Sequence, residues 1–182
     1  MLITHQNWNL SIVIQFIIEI FLFIKIYYHV IYLQYHNQKK FIYYTLFYVY
    51  LVGILFVTLL PLDFQDFQIG NWWYFSCNNF TMPFRDIIYQ YGGAMKGVIL
   101  NIIMFIPFGL LFPLCFQRHF IQTAFVGLLS ILSIEILQML FSLFCIGFRT
   151  FDVTDIITNF TGLCIGYSLY KILTLIKKTV TI

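Results

Sequence analysis

The chain has 182 residues, of which 61% are apolar and only 9% charged, with a formal net charge of +3 and a mean hydropathy of +0.88. This balance excludes an ordinary water-soluble domain, and the small net charge implies no broad nucleic-acid surface. A membrane β-barrel would need alternating apolar and polar residues, whereas the apolar runs here are continuous and about twenty residues long, as membrane helices require.

The expected fold is therefore an all-α polytopic membrane bundle of about five transmembrane helices. The first run, residues 10–33, carries Glu19 and Lys25 and ends in Tyr27, Tyr28, Tyr32 and Tyr35. These tyrosines fit an interfacial belt, from which Lys25 snorkels toward water. Nothing in the sequence explains Glu19. No Lys or Arg precedes this run and no small-residue cleavage site follows it, so it reads as a retained span. No internal repeat, linker or low-complexity tract divides the chain.

The second span covers residues 41–60. After it comes a long loop, 61–96, where Trp72, Trp73, Tyr74, Phe75, Phe80 and Phe84 stand beside Asp63, Asp66, Arg85 and Asp86. So aromatic a loop is expected to lie against the membrane surface or fold back over the bundle. Gly92 and Gly93 give it a flexible joint before the third span, 97–116. Pro107 sits at the centre of that span, where its missing backbone donor predicts a kink that opens a cavity or loosens packing. The fourth and fifth spans cover 120–144 and 153–176.

Basic residues set the direction. Lys39, Lys40, Arg118, Lys171, Lys177 and Lys178 fall at one end of the spans, against Arg85, Lys96 and Arg149 at the other. With the richer end inside, the N-terminus is outside and the C-terminus cytoplasmic. Cys77, Cys115, Cys145 and Cys164 show neither a CxxC motif nor Cys/His ligand spacing and read as small apolar packing. No metal and no cofactor are expected.

Seven polar residues stand in or beside the spans: Asn101, Glu135, Gln138, Arg149, Asp152, Asp155 and Asn159. A lone carboxylate at bilayer depth costs at least ~2.5 kcal/mol, so such groups pair, face a cavity or do chemistry. At 1.5 Å per residue all seven fall in the extracytoplasmic half of the bundle. Glu135 and Gln138 share one helix face. Asp152, Asp155, Asn159, Gly162 and Gly166 follow helical spacing as one stripe, polar above and glycine below, where a neighbouring helix can approach closely. Plainer roles compete. Asp152 can cap the fifth helix with Asp155 in its first turn, and Arg149 can neutralise either acid. Glu135 and Asn159 can lock helices together, while Asn101 and Gln138 suit interhelical hydrogen bonds first and ligands second.

These residues resemble the VanZ-like family, named for the teicoplanin-resistance protein. The resemblance rests on Asn101-Ile-Ile-Met-Phe-Ile-Pro107-Phe-Gly109, on the Glu135-Ile-Leu-Gln138 pair, and on Arg149-Thr-Phe-Asp152-Val-Thr-Asp155-Ile-Ile-Thr-Asn159-Phe-Thr-Gly162. Pro61 and Met82-Pro83-Phe84 are similar too, and the likeness covers roughly residues 41–173, which implies an additional N-terminal transmembrane segment at 1–40 ahead of a VanZ-like transmembrane domain at 41–176. It implies a multi-pass protein of the bacterial cytoplasmic membrane, with the lipid bilayer as its surroundings and a link to antibiotic resistance. It brings no settled reaction or ligand.

Three functions remain in competition. In the first, the seven residues, with Arg85 as an accessory, form an outward pocket for an amphipathic ligand: a lipid headgroup, a cell-wall precursor or a lipoglycopeptide. Arg149 would meet phosphate or carboxylate, and the acids and amides would meet sugar or amine groups. In the second, Glu135 and Asp155 act as a general acid and base, or hold a divalent cation with Asp152. Against it, His5, His29, His36 and His119 lie away from the cluster, and no HExxH or GxSxG motif occurs. In the third, the polar residues only lock helices. The oligomeric state is open, and a transmembrane proton or ion path lacks an inner half.

Overall fold

A computed structural model describes residues 38–59, 79–80, 82–144 and 150–180, together with isolated positions at 17, 21, 24, 25 and 27. Its elements in chain order are α1 (Gln38–Leu59), β1 (Asn79–Phe80), α2 (Arg85–Ile88), α3 (Ala94–Phe116), α4 (Phe120–Leu143), β2 (Phe151–Asp152) and α5 (Val153–Val180). Four helices are long and apolar enough to cross a membrane, beginning at Lys40, Ala94, Phe120 and Val153. They coincide with the second to fifth spans read from sequence. The first span, at 10–33, lies outside the described residues apart from those isolated positions.

Each helix starts and stops for a local reason. α3 follows Gly93, whose φ of 90° suits glycine alone. It ends at Gln117, left-handed at φ 54°, whose N–H closes onto the Pro113 carbonyl at 2.9 Å. Three residues then join α3 to α4, which forces the two helices antiparallel. α1 runs antiparallel to α3 along a ladder of rings. Phe47 meets Phe108, Phe112 and Phe116 at 5.7, 6.0 and 6.1 Å between centroids, one helical turn apart along α3. The Tyr44 hydroxyl donates to the Cys115 carbonyl at 3.1 Å, supplying one of the last-turn acceptors that α3 leaves without a helical partner. The Tyr50 hydroxyl donates to the Met104 carbonyl at 3.0 Å.

The tightest pairing is α3 with α5, which run parallel. A Cβ added at Gly162 would collide with the carbonyl oxygen of Ile102, and one at Gly166 with that of Ile106. From the other side, a Cβ at Gly109 would collide with the Leu163 carbonyl. Glycine on both helices therefore lets backbone meet backbone, as small residues do between membrane helices. Pro107, where the sequence predicts a kink, is half-buried. Pro107 and Pro113 both lie inside a continuous α3, and the α5 glycines close onto the stretch around Pro107.

The remaining faces are apolar and exposed: Ile42, Leu46 and Val49 on α1, Ile99 and Ile103 on α3, Ile121 and Phe125 on α4, Ile172 and Leu173 on α5. In water so continuous an apolar surface would aggregate, whereas in a bilayer it is the surface that lipid tails cover. The fold is an all-α membrane helical bundle. A two-residue parallel bridge pairs Asn79 with Phe151 and Phe80 with Asp152, tying the segment before α2 to the start of α5.

Candidate functional site

The start of α5 organises the site. Asp152 caps the helix, its Oδ1 accepting the Thr154 N–H at 2.7 Å. Asp155, one turn on, does not complete a capping box. Its Oδ1 instead accepts Asn101 Nδ2 at 2.6 Å, a short charge-assisted bond between α5 and α3. Thr154 faces another way and accepts the Phe84 N–H on its hydroxyl at 2.8 Å. Phe84 has φ 56°, a left-handed conformation that costs a bulky residue about 1–3 kcal/mol unless its surroundings impose it. The Thr154 bond and the β1–β2 bridge are those surroundings.

Between these pieces lies a cleft of about 350 Å³. Phe84, Asp86 and Ile87 form one wall, Gly93, Gly97 and Asn101 another, and Thr150, Asp152, Thr154 and Asp155 the floor. Gly93, Gly97 and Asn101 are spaced by four along α3, so they run from mouth to floor on a single face. Nothing lies within 4 Å of a Cβ placed at Gly92, Gly93 or Gly97. That wall is open space. The polar lining is rich in acceptors, since Asp86, Asp152 and Asp155 all contribute to it.

The structure thus divides the seven residues read from sequence. Asn101, Asp152 and Asp155 line the cleft. Glu135, Gln138 and Asn159 sit within the bundle and are absent from its lining. Glu135 is 2% exposed, and its Oε2 receives the backbone N–H of Asp152 at a long 3.4 Å. Gln138 Nε2 donates to the Thr58 carbonyl at 2.9 Å, joining α4 to the end of α1. Asn159 is 3% exposed, and neither its Oδ1 nor the Oε1 of Gln138 has a hydrogen-bond partner among the described residues. Arg149 lies outside the described residues. Arg85 opens α2 between the cleft residues Phe84 and Asp86. Among the described residues no three His, Cys, Asp or Glu side chains converge to hold a metal ion. The sequence reading missed Asp86, Thr154 and Gly97 as cleft residues. The four-residue spacing from Gly93 through Gly97 to Asn101 was the signal that could have found the α3 wall.

Comparison with known proteins gives the family of the chain. No solved structure matches the chain. Protein VanZ of Enterococcus faecium is 34% identical over 124 residues, which cover 67% of this chain and 69% of that protein. The VanZ/LLP1 family model matches residues 47–174, which take in the ring ladder, the α3–α5 glycine contact and every described residue of the cleft. The chain belongs to the VanZ/LLP1 family.

Proposed function

We propose that the protein binds the polar head of an amphipathic envelope ligand in the cleft at the outer face of the bacterial cytoplasmic membrane. The observation that carries this reading is the cleft itself: open space over Gly97 beside the polar side chains of Asn101, Asp152 and Asp155. The volume suits a headgroup and not a whole lipid. An acyl chain needs no pocket of its own, because the exposed apolar faces of the helices open onto the bilayer. The carboxylates Asp86, Asp152 and Asp155 fit the amine and hydroxyl donors of such a head. Arg149 adjoins the cleft residue Thr150 in sequence and Arg85 adjoins Asp86, so these two cations are the partners for phosphate or carboxylate. The basic residues at the opposite ends of the helices orient the cleft outward. Kinship with VanZ makes teicoplanin-type lipoglycopeptides the first ligands to try.

The test uses a cysteine-free background with Gly97→Cys, treated in intact cells with a membrane-impermeant thiol reagent. Rapid labelling, slowed by added teicoplanin or by short-chain phosphatidylethanolamine, is expected. Protein that is present but does not label refutes an outward, water-filled cleft. Labelling that no amphipathic probe slows refutes its role as a binding site.

A further inference from the structure

We infer that Glu135 is a positioning residue, whose buried carboxylate receives the backbone N–H opening α5 and so fixes where the cleft floor stands; the functional meaning of this rests on the cleft being the binding site. Glu135 lies eight residues before the end of α4, or ~12 Å along that helix. Its contact with Asp152 therefore makes α5 begin well inside the apolar length of α4. A helix start leaves several N–H groups without helical acceptors, and among apolar surroundings water cannot be relied on to take them.

The chain supplies acceptors instead. Asp152 Oδ1 takes the Thr154 N–H and Glu135 Oε2 takes the Asp152 N–H, while the bridge to Asn79–Phe80 pairs the backbone of Phe151 and Asp152. Asp152 is thus held from two directions at once, by α4 through Glu135 and by β1 through the bridge. Two cleft carboxylates depend on that placement, since Asp152 caps α5 and Asp155 lies in its first turn. Glu135 itself is 2% exposed and is not among the residues lining the cleft, so it acts on the floor from behind. This explains an acid inside a span without assigning it to ligand or catalysis. What the position requires is an acceptor oxygen, and a negative charge is secondary.

The experiment compares hydrogen exchange in full-length native protein, E135A and E135Q, each in the same detergent. The glutamine keeps a side-chain carbonyl for the Asp152 N–H, whereas alanine has none. E135A is expected to raise exchange in the peptide spanning 150–158 at least tenfold, with the rest of α3 and α4 within twofold of native. E135Q is expected to stay within threefold of native throughout. Unchanged exchange in E135A, an E135Q as exposed as E135A, or an equal rise in all helices would each overturn the inference. Should E135A not accumulate, the near-isosteric E135M replaces it with the same expectation. Labelling at Gly97→Cys with Glu135 intact tests the cleft separately, so a failed cleft and a failed role for Glu135 give different results.

Discussion

Replacing Gly162 by alanine tests the α3–α5 contact most directly. The added methyl would strike the Ile102 carbonyl oxygen and would also lie 2.9 Å from its carbon and 3.1 Å from the Ile102 Cα. These are backbone atoms of a helix and cannot rotate away, so α5 must withdraw. A gap of ~1 Å forfeits up to about half of the dispersion well of each atom pair it separates. Overpacking of this kind costs about 1–3 kcal/mol. Alanine regains about 1 kcal/mol of helix propensity over glycine, leaving a net loss of up to about 2 kcal/mol. At roughly 2–4 °C per kcal/mol for a chain of this size, the melting temperature should fall by up to ~8 °C and lie ~2–12 °C below that of a glycine-to-alanine change made in open space. Gly97→Ala is the control: it has the same propensity gain and no atom within 4 Å of the new methyl, so its melting temperature should hold or rise slightly. Thermal unfolding in detergent, followed by fluorescence-detected size exclusion, separates the two. Equal melting temperatures would refute the claim that backbone contact at Gly162 sets the spacing of α3 and α5.

Further outcomes follow from the same geometry. Phe47→Ala removes ring contacts to Phe108, Phe112 and Phe116; at ~0.5–1.5 kcal/mol per aromatic pair it should destabilise by about 2–4 kcal/mol, seen as a lower melting temperature. Asn101→Leu breaks the bond to Asp155, and because interhelical hydrogen bonds in membranes average only ~0.6 kcal/mol, its melting temperature should barely move while probe protection at Gly97→Cys is lost. A melting loss as large as that of Phe47→Ala would instead make Asn101 a structural lock. Asp152→Ala should cost ~1 kcal/mol through the lost cap, whereas Asp152→Asn should retain the cap and lose amine recognition, which paired melting and labelling measurements distinguish.

The four described spans were legible because apolar runs of this length admit few other folds. The α5 stripe was legible as a periodicity, and its glycine half behaves as the spacing predicts, closing onto Ile102 and Ile106. Its polar half is divided by something periodicity does not carry. Asp152 and Asp155 reach the cleft while Asn159, on the same face, is buried one turn further in. That depends on how far α3 and α2 rise beside α5, a relation between elements distant in sequence. Glu135 was conspicuous as an acid in an apolar span, but its partner is a backbone N–H, which every residue except proline offers and no motif marks. Asp86 was read as one charge in a long loop. Only the left-handed turn at Phe84, fastened to Thr154, brings its helix over the floor.

The uneven lengths of α4 and α5 have a mechanical consequence. The Phe120 ring, at the foot of α4, meets Tyr167 at 5.1 Å, and α5 continues for thirteen residues beyond, ~20 Å of helix ending near Lys177 and Lys178. In that tail Ile172, Leu173, Leu175 and Ile176 are all exposed. A bilayer that thins or thickens costs a fraction of a kcal/mol per Å, and a helix end that reaches past its neighbour can absorb it by bending or tilting. The glycine contact at Gly162 and Gly166 lies between tail and cleft and resists movement because backbone already touches backbone. The protein is thereby sprung at one end and rigid at the other, so its cleft can keep one shape in membranes of differing thickness.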